Sequence, residues 1–185
     1  APDSQREPLV AGIVSGSALA NRILTAMESG VRRQCVFALA QYQFGTPVGH
    51  VDLWGIVRDL TAKHHFRPTG LALEMLNEAI GGDYHPVTAV GPDKGTIKAA
   101  AFLSKAGWSI AIVSTSATPT EVTIKFPQGG VSPSRSLTLS APSITSTNET
   151  SDDQVRIATG SISGEAKISV PAYGLVVLLP PSGPS

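Results

Sequence analysis

Apolar positions recur with helical spacing in two stretches of the first half of the chain. The first stretch predicts a helix with Ser17 as its N-cap and Gly30 as its end. The second predicts a helix that begins at Thr69 and ends at Gly81-Gly82. The two apolar stripes consist of Ala20, Ile23, Leu24 and Met27, and of Ala72, Met75, Leu76, Ala79 and Ile80.

Between these helices lies the run CVFALAQYQFG, residues 35–45, whose apolar beginning ends in Gln-Tyr-Gln. Val36–Ala40 has no polar alternation, which predicts a strand buried on both faces, and flanking helices are typical of a parallel sheet. A lone parallel strand leaves its backbone groups unpaired, and Leu9–Val14 is the one further strand candidate here. We therefore expect the missing strands to come from another chain or a removed segment. The alternative is that both helices pack on the following β-domain, with this run as one of its strands.

The second half of the chain has a different pattern, in which short β-rich runs are separated by Gly, Pro, Ser or Asn. Seven such runs without a helical segment between them predict an antiparallel sandwich. The runs are Ile97–Ser104, Trp108–Ser116, Glu121–Phe126, Ser136–Ser140, Gln154–Thr159, Ala166–Val170 and Leu175–Leu179. The proline-rich end, residues 181–185, cannot continue a sheet, and we expect a flexible tail there.

Composition and charge exclude several classes of protein. The 14 basic and 14 acidic residues balance, so no basic surface suggests nucleic acid. No apolar stretch approaches the roughly 20 residues of a membrane span. The single cysteine, Cys35, lies within the apolar run and predicts a buried, inert thiol. Asn148-Glu149-Thr150 fits the glycosylation sequon at Asn148 and favours a secreted or extracytoplasmic location.

Five segments, in their order along the chain, resemble a known group of enzymes. They are AMESGVRR (26–33), CVFALAQYQFG (35–45), LWGIV (53–57), RPTGLALEMLN (67–77) and ISVPAYGLVVL (168–178). Together they resemble the C-terminal end of retaining glycoside hydrolases in which a (β/α)8 barrel is followed by a β-sandwich. The heparanase/β-glucuronidase, β-xylosidase and arabinofuranosidase groups share this layout.

The resemblance implies an α/β barrel remnant followed by an all-β antiparallel sandwich. Residues 1–86 would be the C-terminal segment of the barrel, and residues 87–180 the sandwich. The family places its two catalytic carboxylates at the ends of the fourth and seventh barrel strands, whereas residues 35–45 resemble the eighth. The carboxylates are therefore expected outside this chain, in an N-terminal barrel portion that is its partner. The competing interpretation is a non-catalytic β-sandwich module that binds carbohydrate or another partner.

The polar end of the eighth-strand segment supplies the candidate substrate-binding residues. The C-terminal ends of barrel strands form the active-site face of such barrels. The amides of Gln41 and Gln43 and the phenol of Tyr42 can hydrogen-bond sugar hydroxyls, and the aromatic ring can stack on a sugar face. Trp54, in the following loop, is a second stacking candidate. These side chains could instead satisfy loop backbone at the strand end.

Other candidate chemistry favours ordinary structural roles. Glu74 and Glu78 lie four apart on the second predicted helix, where a solvated surface role is expected. Ser15 and Ser17 lack the pattern of a nucleophile elbow. Neither a metal site nor a cofactor is expected, because the histidines lack helical ligand spacing and one cysteine makes no zinc cage. The histidines are His50, His64, His65 and His85, and the remaining acids of interest are Asp52 and Asp59.

Overall fold

The computed structural model describes residues 9–36, 39–40, 42–47, 49–53, 55–59, 65–126, 129–149, 154–162 and 167–181. The named helices are α1 (Ile13–Glu28) and α2 (Pro68–Ala79), and a 3-10 turn spans Pro92–Gly95. The strands are β1 (Tyr42–Thr46), β2 (Gly49–Leu53), β3 (Val57–Asp59), β4 (His65–Phe66), β5 (Asp83–Pro86), β6 (Ile97–Ser104), β7 (Gly107–Ser114), β8 (Thr120–Thr123), β9 (Arg135–Ser140), β10 (Arg156–Ser161), β11 (Lys167–Val170) and β12 (Leu175–Leu179). None of the helices in this part of the chain is long and apolar enough to span a membrane.

A six-stranded antiparallel sheet forms the centre of the molecule. Its strand order is β10-β9-β12-β7-β6-β5, and β8 pairs with β11 in a separate two-stranded sheet. All seven runs predicted from the second half of the sequence overlap observed strands, and the bounds of β6 and β12 match fully. The predicted antiparallel strands are therefore confirmed, with a second layer of two strands.

The central strands are buried on both faces because a different layer covers each face. Successive side chains of a strand point to opposite sides. On β12, Leu175, Val177 and Leu179 pack in a core with the two helices. Val176 and Leu178 pack in a second core with side chains of the β8–β11 pair. The described residues therefore form three layers, which are the helices, the large sheet and the β8–β11 sheet.

Both helices pack most of their apolar stripes on the large sheet, whereas Ile80, after the end of α2, is exposed. The core on this side includes Ala20 and Leu24 of α1, and Met75 and Leu76 of α2. This is the helix packing expected from the alternative in which both helices pack on the following β-domain. The predicted boundary at residue 86 falls at the end of β5, which is an edge strand of this sheet. The helices of the first half thus share a core with strands of the second.

The predicted start of α1 is wrong, whereas its predicted end is confirmed. The helix begins at Ile13, and Ser17 lies within it, where its hydroxyl donates to Ile13 O at 3.2 Å. At the other end, Gly30 has φ +84 and donates its N–H to Met27 O at 2.9 Å. Val31 N donates to Ala26 O at 2.9 Å, which completes a Schellman motif.

The predicted doubly buried strand at Val36–Ala40 is not found in the described part of the chain. Residues 31–36 have no regular secondary structure and are exposed, and Leu39 is 58% exposed. Cys35 is also exposed, so the prediction of a buried thiol is wrong. What remains of parallel pairing here is a bridge between Ala40 and Val57. The described residues of this run therefore lack the cover that neighbouring parallel strands would give, and a barrel remnant is not observed among the described residues.

Candidate functional site

Two of the candidate binding residues, Tyr42 and Gln43, have their backbone in a β-hairpin of the first half of the chain. Strands β1 and β2 pair in antiparallel register, with Tyr42 opposite Leu53 and Gln43 opposite Asp52. Thr46 and Gly49 are the last pair before the turn that joins the two strands. The register therefore places the backbone of Tyr42 and Gln43 at the base of the hairpin.

The base of the hairpin is held by close backbone contacts. The chain leaves at Ala40 and returns at Gly55–Val57, where Val57 N donates to Leu39 O at 2.9 Å. Gly55 is buried, and a Cβ on it would lie 2.6 Å from Leu39 O, so a side chain has no room there. We refer to residues 39–40 and 55–57 as the hairpin base.

The four predicted substrate-binding residues divide into two groups. For Tyr42 and Gln43 the structure describes the backbone, which places both in β1. Gln41 and Trp54 lie outside the described residues. Their chain neighbours Tyr42 and Leu53 are directly paired. Substrate binding by the four residues stays a prediction.

A buried arginine connects the hairpin base to the loop between β9 and β10. Arg67 precedes α2 and is fully buried. Its Nε and Nη2 donate to Glu149 Oε1 and Oε2 at 2.7 and 2.9 Å, which is a bidentate ion pair. Its Nη1 donates to Gly55 O at 3.0 Å and to Val57 O at 3.3 Å. One side chain thus joins the returning chain of the hairpin to the loop between β9 and β10.

The same loop makes a second set of contacts through Asn148. Its side chain is 2% exposed, and Nδ2 donates to Val155 O at 2.8 Å and to Phe66 O at 3.4 Å. Its Oδ1 accepts from Val155 N at 2.8 Å, and Arg58 donates to its carbonyl oxygen. These bonds give Asn148 a structural role in the loop, and its glycosylation stays a prediction.

The other candidates have partners that account for them. Ser15 donates to Gly12 O at 2.7 Å, and Ser17 is buried and bonded to its own helix, so neither hydroxyl is placed as a nucleophile. Glu74 is exposed, and Glu78 lies 3.9 Å from Arg135 at the surface, as expected.

The remaining acids and histidines divide between described and undescribed positions. His85 packs edge-on against Trp108 at 4.9 Å between ring centroids, and His65 contacts Arg58. The backbone of β2 contains His50 and Asp52, and that of β3 contains Asp59, whereas His64 lies outside the described residues. Where the structure describes the chain, no group of three or more His, Cys, Asp or Glu could hold a metal ion.

An open groove of about 480 Å³ lies on the side of the large sheet that faces β8. Its floor includes Ile97, Ile110 and Ile112, and its rim carries charged side chains such as Lys94 and Glu121. Among its described lining residues there is no aromatic ring on which a sugar could stack.

This arrangement of layers is similar to parts of solved glycoside hydrolases. No protein-family model and no curated protein sequence matches the chain. Among solved structures, it is similar to a family 30 subfamily 8 xylanase from Clostridium acetobutylicum, at 14% identity with a TM-score of 0.54. This match covers 91% of the present chain and 39% of the xylanase. An arabinofuranosidase is similar at 16% identity with a TM-score of 0.52, covering 67% of this chain and 31% of that one.

The chain shares its fold with part of these glycoside hydrolases. At such low identity the likeness shows the fold and carries no residue-level function. The chain spans less than two fifths of the length of either structure. Activity, substrate and partners of the whole protein are therefore matters for proposal.

Sequence reasoning missed two features of the site, of which one had no local signal and one had a signal. Arg67 and Glu149 are 82 positions apart, and no local pattern marks their pairing. The hairpin had a signal, since Gly45 and Gly49 bracket a Thr-Pro-Val turn between residues of high β propensity.

Proposed function

We propose that this chain is the C-terminal part of a retaining glycoside hydrolase and acts together with an N-terminal barrel portion. The observation that carries the proposal is the shared fold with a xylanase and an arabinofuranosidase. The exposed apolar side chains of Val36 and Leu39 support it, because a neighbouring barrel strand would cover them. A secreted or extracytoplasmic location, where polysaccharides are accessible, fits this role.

In this proposal the chemistry belongs to the barrel portion and the rim of the site to this chain. Retaining hydrolysis needs two carboxyl groups about 5–5.5 Å apart, one as acid/base and one as nucleophile. The hairpin would border the sugar-binding cleft. There the amides of Gln41 and Gln43 would bind hydroxyls, and the rings of Tyr42 and Trp54 would stack on sugar faces.

The names of the similar structures suggest the first substrates to assay, which are glycosides of arabinofuranose and xylose. The product of the complete gene is compared with the 185-residue chain on aryl α-L-arabinofuranosides, aryl β-D-xylosides and xylan. We expect hydrolysis by the complete product and none by the chain alone. NMR of the first-formed sugar should show retained anomeric configuration. An inverted product contradicts the retaining mechanism, and activity of the chain alone contradicts the placement of the carboxylates outside it.

One observation favours a second function, that of a non-catalytic carbohydrate-binding or interaction module. Both helices bury their apolar stripes on the large sheet, so the described residues form a core of their own. Pull-down of the isolated chain with insoluble xylan and cellulose tests this function. If the chain binds a polysaccharide and Tyr42→Ala binds it equally well, the result favours a module whose sugar site lies away from the hairpin.

A further inference from the structure

The most deeply buried ionic group of the described structure has no part in a hydrophobic core. Arg67 is 0% exposed, and Glu149, its carboxylate partner, has a side chain that is 12% exposed. Burying an ion pair removes both charges from water, so such a pair contributes little net stability unless its geometry is excellent. The contacts of this pair indicate what it holds in place.

The two ends of the pair belong to different parts of the chain. Glu149 follows Asn148 in the loop between β9 and β10, and Asn148 is itself bonded to Val155 O and N at 2.8 Å. The loop is therefore fixed to the start of β10. Arg67 is fixed to the start of α2, where its carbonyl accepts from Gly70 N at 2.8 Å. The ion pair thus joins two rigid supports.

Three further bonds of Arg67 go to the hairpin base. Its side chain donates to Gly55 O and Val57 O, and its backbone N–H donates to Ile56 O at 2.9 Å. Three successive residues are therefore held by one arginine. They are also the residues that contact positions 39–40, where the chain enters the hairpin. Arg67 consequently fixes the orientation of the hairpin through its bonds to the hairpin base.

We propose that Arg67 and Glu149 are positioning residues that fix the β1–β2 hairpin for substrate binding, with the loop at residues 146–149 of the sandwich as the anchor. This assigns the sandwich a part in substrate recognition without a sugar site of its own. The inference rests on the proposed function for its link to substrate, whereas the mechanical link stands on the contacts alone.

The mechanical link is tested by hydrogen exchange of the 185-residue chain. The variant Arg67→Met/Glu149→Met removes both charges together, which avoids leaving one of them buried and unpaired. We expect amide exchange in residues 42–53 to accelerate about tenfold or more, since charge-assisted bonds to Gly55 and Val57 are lost. The urea midpoint of the large sheet should change little. Unchanged exchange in the hairpin would overturn the proposal.

Two further variants keep the test decisive if the double variant does not fold. Arg67→Lys keeps one charge but cannot make the bidentate pair and reach two carbonyls, so we expect faster hairpin exchange in it as well. Arg135→Met is the control, because Arg135 pairs with Glu78 at the surface at 3.9 Å. It should leave hairpin exchange unchanged. Equal acceleration in Arg67→Lys and Arg135→Met would show a general loosening and would refute the positioning role.

The link to substrate is tested in the complete enzyme. Since the hairpin binds substrate and the carboxylates lie elsewhere, Arg67→Lys should raise KM about tenfold and leave kcat within about twofold. A fall in kcat with constant KM would contradict a role in substrate positioning. If the complete unmutated enzyme hydrolyses no glycoside, the proposed function fails, and the exchange experiment on the chain still decides the mechanical link.

Discussion

Leu76 offers a direct test of whether the helices and the large sheet form one cooperative unit. It lies in α2, is 1% exposed, and belongs to the core that joins the helices to β7, β9 and β12. Leu76→Ala removes buried carbon atoms and leaves a cavity, which costs about 2–5 kcal/mol of unfolding free energy. With a urea m-value of about 2 kcal/mol/M, a loss of about 3 kcal/mol lowers the midpoint by about 1.5 M. Asn77→Ala, at the next and exposed position, is the control and should stay within about 0.5 kcal/mol.

The assay follows unfolding with two probes on different layers. Far-UV circular dichroism at the helix band reports the helices. Fluorescence of Trp108 reports the opposite side of the sheet, where this residue is buried and its Nε1 donates to Gly129 O at 2.8 Å. A Trp54→Phe background leaves Trp108 as the single tryptophan. Both probes should shift together in Leu76→Ala. A shift of the circular dichroism transition with an unmoved Trp108 transition would refute the shared core.

Three other predictions test separate parts of the structure. Gly55→Ala should lower the free energy of unfolding by about 1–3 kcal/mol in thermal unfolding, because its Cβ would lie 2.6 Å from Leu39 O. Gly45→Ala is the control, because the space around Gly45 is open, and it should leave stability unchanged. Equal stability of the two variants would contradict the packing of the hairpin base. Exposed Cys35 should react quickly with a thiol reagent in the isolated chain and slowly once the barrel portion is bound. Equal reaction rates in the isolated chain and in the complex would show that the partner does not cover this segment. Ser17→Ala should not change the labelling of the chain by a serine-directed covalent probe, because the buried Ser17 hydroxyl donates to Ile13 O. A labelling signal that disappears in this variant would show that Ser17 is a nucleophile.

The strand pattern of the second half could be predicted because each run is bounded by turn-forming residues. The bounds of β6 and β12 follow directly from this punctuation. The covering layers could not be predicted. LVVLL at 175–179 is buried on both faces in an antiparallel sheet, whereas Val36 and Leu39 of the equally apolar CVFALA are exposed. An apolar run shows that two faces need cover, and the cover comes from residues distant in sequence.

The candidate site was predictable in part for a similar reason. Polar and aromatic residues at the end of an apolar run mark the region of Tyr42 and Gln43, and the structure places their backbone in a hairpin. The contacts that hold this hairpin were not predictable. They depend on Arg67 and Glu149, which only the tertiary fold brings together.

The central proposal, that this chain works as part of a larger glycoside hydrolase, is tested most directly by native mass spectrometry of the protein from its natural source. An antibody against the chain is used for the purification, and glycosidase activity is measured on the same sample. We predict a species larger than the 185-residue chain, either one longer polypeptide or two associated chains, that hydrolyses a glycoside. A single species of 185 residues that is soluble, monomeric and cooperatively unfolding would contradict the proposal.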